Sequence, residues 1–105
     1  MSWNFSKIDE INAMSSQSLQ DHKGETVTVT GMAVTQRPNV DGEVTDIMLF
    51  KTEEYGVMST ISGAVLRIAD DIIEYCEEQK VDKISMQINS GVSKAGNEFI
   101  TVSFK

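Results

Sequence analysis

Between Glu25 and Val34 the chain alternates with a period of two and then loses step at one glycine. That slip restricts the available folds more than any other feature. Thr26, Thr28 and Thr30 alternate with Val27 and Val29, which describes a half-buried strand rich in β-branched residues. After Gly31 the phase reverses, and Met32 and Val34 become the apolar partners of Ala33 and Thr35. A bulge or bend at Gly31 keeps both halves facing inward. A long strand bent in this way serves a small barrel, where one strand pairs with neighbours on both sides.

The rest of the chain supplies those neighbours. Arg37-Pro38-Asn39-Val40-Asp41-Gly42 is a dense turn signal, and Val44 to Lys51 reads as a second strand, antiparallel to the first. Glu53-Glu54-Tyr55-Gly56 reverses the chain again before a short third strand from Val57 to Ile61. Ala64 to Gln79 then switches to helical spacing. Val65, Ile68, Ala69, Ile72, Tyr75 and Cys76 form the apolar stripe, and Ser62 is placed as N-cap. Lys83 to Asn89 alternates about Ile84, Met86 and Ile88, Ser90 to Asn97 is a glycine-containing loop, and Ile100, Val102 and Phe104 mark the last strand. Ahead of all this, residues 1–24 form a helical and loop segment. Ser6 and Asp9 fit a capping box, Ile8 and Ile11 share a helical face, and Leu19 is an anchor candidate beside Trp3 or Phe5.

The order β-β-β-α-β-β, with a bent first strand, predicts a mainly β fold: a five-stranded OB-fold barrel over residues 25–104, with one α-helix between strands 3 and 4 and a short N-terminal helical segment. At 105 residues the chain is read as one domain, 1–105.

Several function classes are not expected. The lone histidine, His22, has no second histidine or cysteine cluster to complete a metal site. Cys76 falls in the helix stripe, where a buried thiol is inert, and no nucleophile-base order or phosphate loop is visible. The expectation is a binding protein with no enzyme activity, metal or cofactor. A single cysteine and an N-terminus without a secretory signal point to a reducing cytoplasm, and no apolar run is long enough for a membrane span.

The formal charge of -7 speaks against a protein that coats a polyanion through a general positive field. Its distribution is uneven. Residues 67–82 carry six acids against Arg67 and Lys80, whereas residues 83–105 carry Lys83, Lys94 and Lys105 against Glu98. Asp70, Asp71, Glu74, Glu77 and Glu78 form the solvated side of the helix, so one face can be acidic while another is not.

The chain resembles the small single-stranded DNA-binding proteins of phages of Gram-positive bacteria. The residues that carry the resemblance are Val27-Thr28-Val29-Thr30-Gly31, Ile47-Met48-Leu49-Phe50-Lys51-Thr52, Ser59-Thr60 before the helix, and Lys94-Ala95-Gly96-Asn97-Glu98-Phe99 before the last strand. The resemblance implies binding of single-stranded DNA in phage replication or recombination, without chemistry, as a homo-oligomer in the host cytoplasm, alongside replication or recombination proteins. The chain ends in strand and Lys105 where bacterial relatives carry an acidic tail, so recruitment through such a tail is not expected.

A single strand offers base faces, which stack on aromatics, and phosphates, which take Lys or Arg. In an OB-fold both lie on the face of strands 2 and 3 and the loops beside it. The candidates there are Met48 and Phe50 on the second strand, Tyr55 at the tip between strands 2 and 3, and Phe99 outward on the last strand. The candidate cations are Arg37, Lys51 and Lys94. Ile47 and Leu49 are apolar too, and alternation alone leaves the two faces of the second strand interchangeable. The rival reading is an OB-fold protein-interaction module in which Met48, Phe50 and Phe99 contact another chain.

Overall fold

A computed structural model describes residues 2–38 and 40–105. In chain order the elements are β1 (Ser2–Trp3), α1 (Lys7–Asn12), β2 (Gln17–Ser18), β3 (Thr26–Pro38), β4 (Val44–Thr52), β5 (Gly56–Thr60), α2 (Gly63–Gln79), β6 (Ile84–Val92) and β7 (Glu98–Phe104). Short 3-10 turns lie at Ala13–Ser15 and Leu19–His22. Asn39, within the turn signal after Arg37, lies outside the described residues.

The bent strand is the organising element. β3 runs antiparallel to β4 over most of its length and antiparallel to β6 through Thr26–Val29, and its register with β4 shifts between Val29 and Gly31. The slip in alternation is therefore a slip in pairing. The sheet order is β2-β5-β4-β3-β6-β7, with β1 paired to β3. Five long strands and a helix after the third match the predicted order, while the two-residue strands β1 and β2 are additional. Closure into a barrel is not reached. Among the described residues β7 pairs with β6 alone and the free edge of β5 takes β2, so the sheet curls into a half-barrel.

One face of this curl holds the main core. Val27, Val29 and Met32 of β3 meet Met48 and Phe50 of β4, Met58 of β5, and Met86 and Ile88 of β6. Val65, Ala69, Ile73 and Cys76 of α2 cover them. Four methionines in this set suit a strongly curved interior, because unbranched side chains fill irregular gaps. The helical face is rotated slightly from the predicted stripe: Ile73 is fully buried, whereas Tyr75 is half exposed. Predicted N-cap Ser62 stands at the cap position without capping through its side chain. Its hydroxyl donates instead to the Ile100 carbonyl, a polar tie across the open seam between β5 and β7. β6 continues three residues into the predicted loop, through Ser90, Gly91 and Val92.

The other face of β4 and β5 is also covered. Ile47, Leu49 and Val57 form a second cluster with Ala13, and Phe5 packs against it. The N-terminal segment thus crosses the outer wall between two anchors, Trp3 and Leu19, both buried in the main core. The capping box is present: Ser6 accepts from the Asp9 backbone N–H, and Asp9 accepts from the Ser6 N–H at 2.8 Å. No helix among the described residues is long and apolar enough to cross a membrane.

Candidate nucleic-acid interface

Met48 and Phe50 are not displayed. Both are fully buried, which corrects the expected register of β4. Ile47 through Phe50 are four consecutive buried residues. The inward pair fills the core, and the outward pair Ile47 and Leu49 is covered by the N-terminal segment. Burial on both sides erases the polar face by which alternation is normally oriented.

Two of the three predicted cations lie on the expected wall but are engaged. Lys51 Nζ sits 3.0 Å from Asp9 Oδ2. Arg37 donates to the Ala13 carbonyl at 2.9 Å. Burial alone would raise the Asp9 pKa, but the Ser6 backbone N–H, Lys51 and the Ser6 hydroxyl together hold it below the ordinary carboxylate value. Lys94 is exposed in the turn between β6 and β7.

Tyr55 stands at the tip between β4 and β5 as predicted, and it is half-buried. Its hydroxyl donates to Glu25, and its ring lies 4.1 Å from that of His22. His22 Nδ1 is 2.8 Å from Glu25 and Nε2 is 2.7 Å from Gln17. The Tyr55 and His22 hydrogen bonds to Glu25 hold its carboxyl below the ordinary range.

Phe99 points outward, 40% exposed. Its ring lies over Gly91, its cross-strand partner on β6, so closely that a Cβ there would come within 2.7 Å of the ring. The glycine makes a seat that fixes the aromatic plane while leaving one side open. Phe99 lines a hollow of about 450 Å³ at the open seam, together with Thr60, Ile61, Ser62 and Arg67. Gly63 and Ala64, the first residues of α2, line it too. The N–H groups of a first helical turn have no intrahelical acceptors, and Ser62 does not supply one from its side chain. They favour an anion, as does Arg67. A second hollow of about 290 Å³ is lined by Arg37, Pro38, Thr45, Ile47 and Ile61. The two hollows share Ile61, itself 66% exposed, with Arg67 lining the first and Arg37 the second.

Arg67, one turn into the helix that follows β5, has acidic companions along the helix and lines the first hollow with Phe99, Ile61 and Glu98. The acidic residues Asp70, Asp71, Glu74, Glu77 and Glu78 are all exposed. Burial pushes the Cys76 thiol up, away from the reactive thiolate. Among the described residues, no group of three or more His, Cys, Asp or Glu side chains is placed to hold a metal ion.

Neither the curated proteins nor the solved structures contain a match to this chain. The family model described as Phage Single-stranded DNA-binding protein, of the Phi29 type, matches residues 5–105. With a match over nearly the whole length, joined to a half-barrel whose open seam carries an aromatic ring and an arginine, the chain belongs to the phage single-stranded DNA-binding protein family.

Proposed function

We propose that the chain is one OB-fold domain that binds single-stranded DNA without reading its sequence, in phage replication or recombination in the host cytoplasm. The carrying observation is the hollow at the open seam, where Phe99 offers a stacking face and the start of α2 and Arg67 offer a phosphate site. Arg37, which holds the Ala13 carbonyl, lines the adjoining hollow that shares Ile61. An exposed ring held by a glycine seat accepts any base, because every base has a π-face. Hydroxyls of Thr60 and Ser62 line the same hollow without a pattern that would select one base edge.

The overall negative sign does not oppose this reading. Five of the sixteen acids lie on the outward side of α2, and screening limits their reach to about 8–10 Å at ordinary ionic strength. Affinity per subunit is modest with so few cations, and assembly as a homo-oligomer along the strand multiplies it. The interaction-module reading relied on Met48, Phe50 and Phe99, of which two are fully buried.

Titration of fluorescent oligo-dT at low and moderate salt tests the function. Binding that weakens as salt rises is expected. Arg67→Glu lowers affinity and flattens the salt dependence, and Phe99→Ala costs about 1–3 kcal/mol of binding, the usual worth of one stacked base. No binding at micromolar protein in low salt overturns the proposal. Unchanged binding in both variants overturns the placement of the site.

A further inference from the structure

We propose that residues 4–16 form a displaceable strap: their own oxygens occupy Lys51 and Arg37, closing the outer wall of β3, β4 and β5, and single-stranded DNA opens it by supplying phosphates in their place. The inference rests on the single-stranded DNA reading above and adds a means by which the same site is regulated.

The strap is anchored at both ends and weakly held between them. Trp3 and Leu19 are buried in the main core, so neither end is free to leave. In the middle, the six-residue helix α1 contains no buried residue. A helix that short is unstable without tertiary support. Ile8, Ile11 and Met14 face solvent at 68%, 59% and 80% exposure, so most of its apolar surface contributes nothing to holding it down.

Besides the apolar contacts of Phe5 and Ala13 with the wall beneath, the strap is held by polar contacts that DNA can replace. The Asp9 carboxylate lies on Lys51 at 3.0 Å, with its side chain only 14% exposed, as a phosphate oxygen would lie. The Ala13 carbonyl takes the Arg37 guanidinium at 2.9 Å, and the Ser16 and Ser59 hydroxyls meet at 3.0 Å. Beneath lie Ile47, Leu49 and Val57, an apolar wall flanked by those two cations. Lifting the strap uncovers that wall, which bases can cover again. Arg37 and Ile47 also line the hollow that shares Ile61 with the one at Phe99 and Arg67, so the uncovered wall would extend the site already open there.

While the strap is closed, apparent affinity is reduced by the fraction of molecules that are open. Asp9→Asn removes the competing anion and leaves the apolar contacts in place. Oligo-dT should then bind several-fold more tightly, with a salt slope steeper by about 0.7, the increment for one further phosphate contact on a single strand. Asp70→Asn makes the same charge change on the exposed face of α2 and should leave affinity within twofold. Hydrogen exchange at residues 7–15 should accelerate when oligo-dT is added to the wild-type protein.

If wild type binds but Asp9→Asn binds no more tightly, if Asp70→Asn gives the same gain, or if exchange at 7–15 is unchanged or slowed by DNA, the strap is overturned while the single-stranded DNA reading stands. Failure of both wild type and Asp9→Asn to bind oligo-dT overturns that reading and the strap with it.

Discussion

Lys51 Nζ and Asp9 Oδ2 lie 3.0 Å apart, with 27% and 14% of their side chains exposed, and they tie β4 to the N-terminal helix. Burial opposes the charge on Asp9, but the Ser6 N–H and Lys51 prevail, so its folded pKa lies below the ordinary 3.8. A depressed carboxylate contributes stability that is complete above the unfolded value and is lost as pH falls through the folded one. The difference in thermal midpoint between wild type and Asp9→Asn should be constant from pH 5 to 7, and it should shrink below about pH 3.8 toward zero. A difference that grows on acidification would refute the assigned contact.

Phe50 and Phe99 should separate stability from binding. Phe50 is fully buried in the main core, so Phe50→Ala should cost about 3–5 kcal/mol by loss of burial and creation of a cavity. Phe99 is half exposed, and Phe99→Ala should change stability by no more than about 1 kcal/mol. Urea unfolding of both variants checks this. A Phe99→Ala loss as large as that of Phe50→Ala would place the ring in the core.

The contrast between these two phenylalanines also marks what the sequence could reveal. Phe99 alternates with Ile100 and Val102 on a strand with one polar face, so its outward direction was legible. The bend at Gly31 was legible for a similar reason, because a one-residue slip in a period-two pattern reverses every side chain after it. Phe50 lies on a strand with two apolar faces, and the fact that decides between them is the N-terminal segment docking some forty residues upstream. Arg67 is hidden in another way. Its sequence neighbours are acids on α2, and the open seam between β5 and β7 that brings it beside Phe99 leaves no local pattern. Ser62 shows the same limit on a smaller scale: the residue type fits a cap, but a carbonyl from β7 lies within its reach.

Gly31 makes a third prediction. A Cβ at this position would lie 2.5 Å from the Asn4 carbonyl oxygen, a backbone atom that cannot swing aside. Gly31→Ala should force β1 and the following residues away from β3, with a cost of about 1–3 kcal/mol. Trp3, the single tryptophan, is 6% exposed and pairs with Met32 beside this contact. Its fluorescence should shift to the red in Gly31→Ala. An unshifted spectrum with unchanged urea midpoint would refute the close approach.

Tyr55 should titrate late. Its hydrogen bond to Glu25, then burial and the nearby carboxylate charges, raise the phenol above its ordinary 10.0. A raised pKa means that the contribution to stability is present below the unfolded value and is lost as pH rises through the folded one. The difference between wild type and Tyr55→Phe in ultraviolet absorbance should therefore show phenolate appearing above pH 10.0. Glu25→Gln should move that transition down. No movement would mean that Glu25 does not hold the phenol.

Gly91 tests whether the position of the Phe99 ring matters as well as its presence. A Cβ at Gly91 would meet the ring at 2.7 Å, and the atom struck is the far end of a side chain that can rotate away. Gly91→Ala should therefore keep the fold, with a thermal midpoint within about 4–8 °C of wild type, the shift that corresponds to about 1 kcal/mol. The ring, however, would lose its seat and tilt out of the plane in which it faces the hollow beside Arg67. Oligo-dT binding should weaken in Gly91→Ala although no aromatic has been removed, and Phe99→Ala on that background should add little further loss, because two changes to one contact are not additive. Full additivity of the two losses would mean that Gly91 and Phe99 act on DNA separately, and the glycine seat would have no part in stacking.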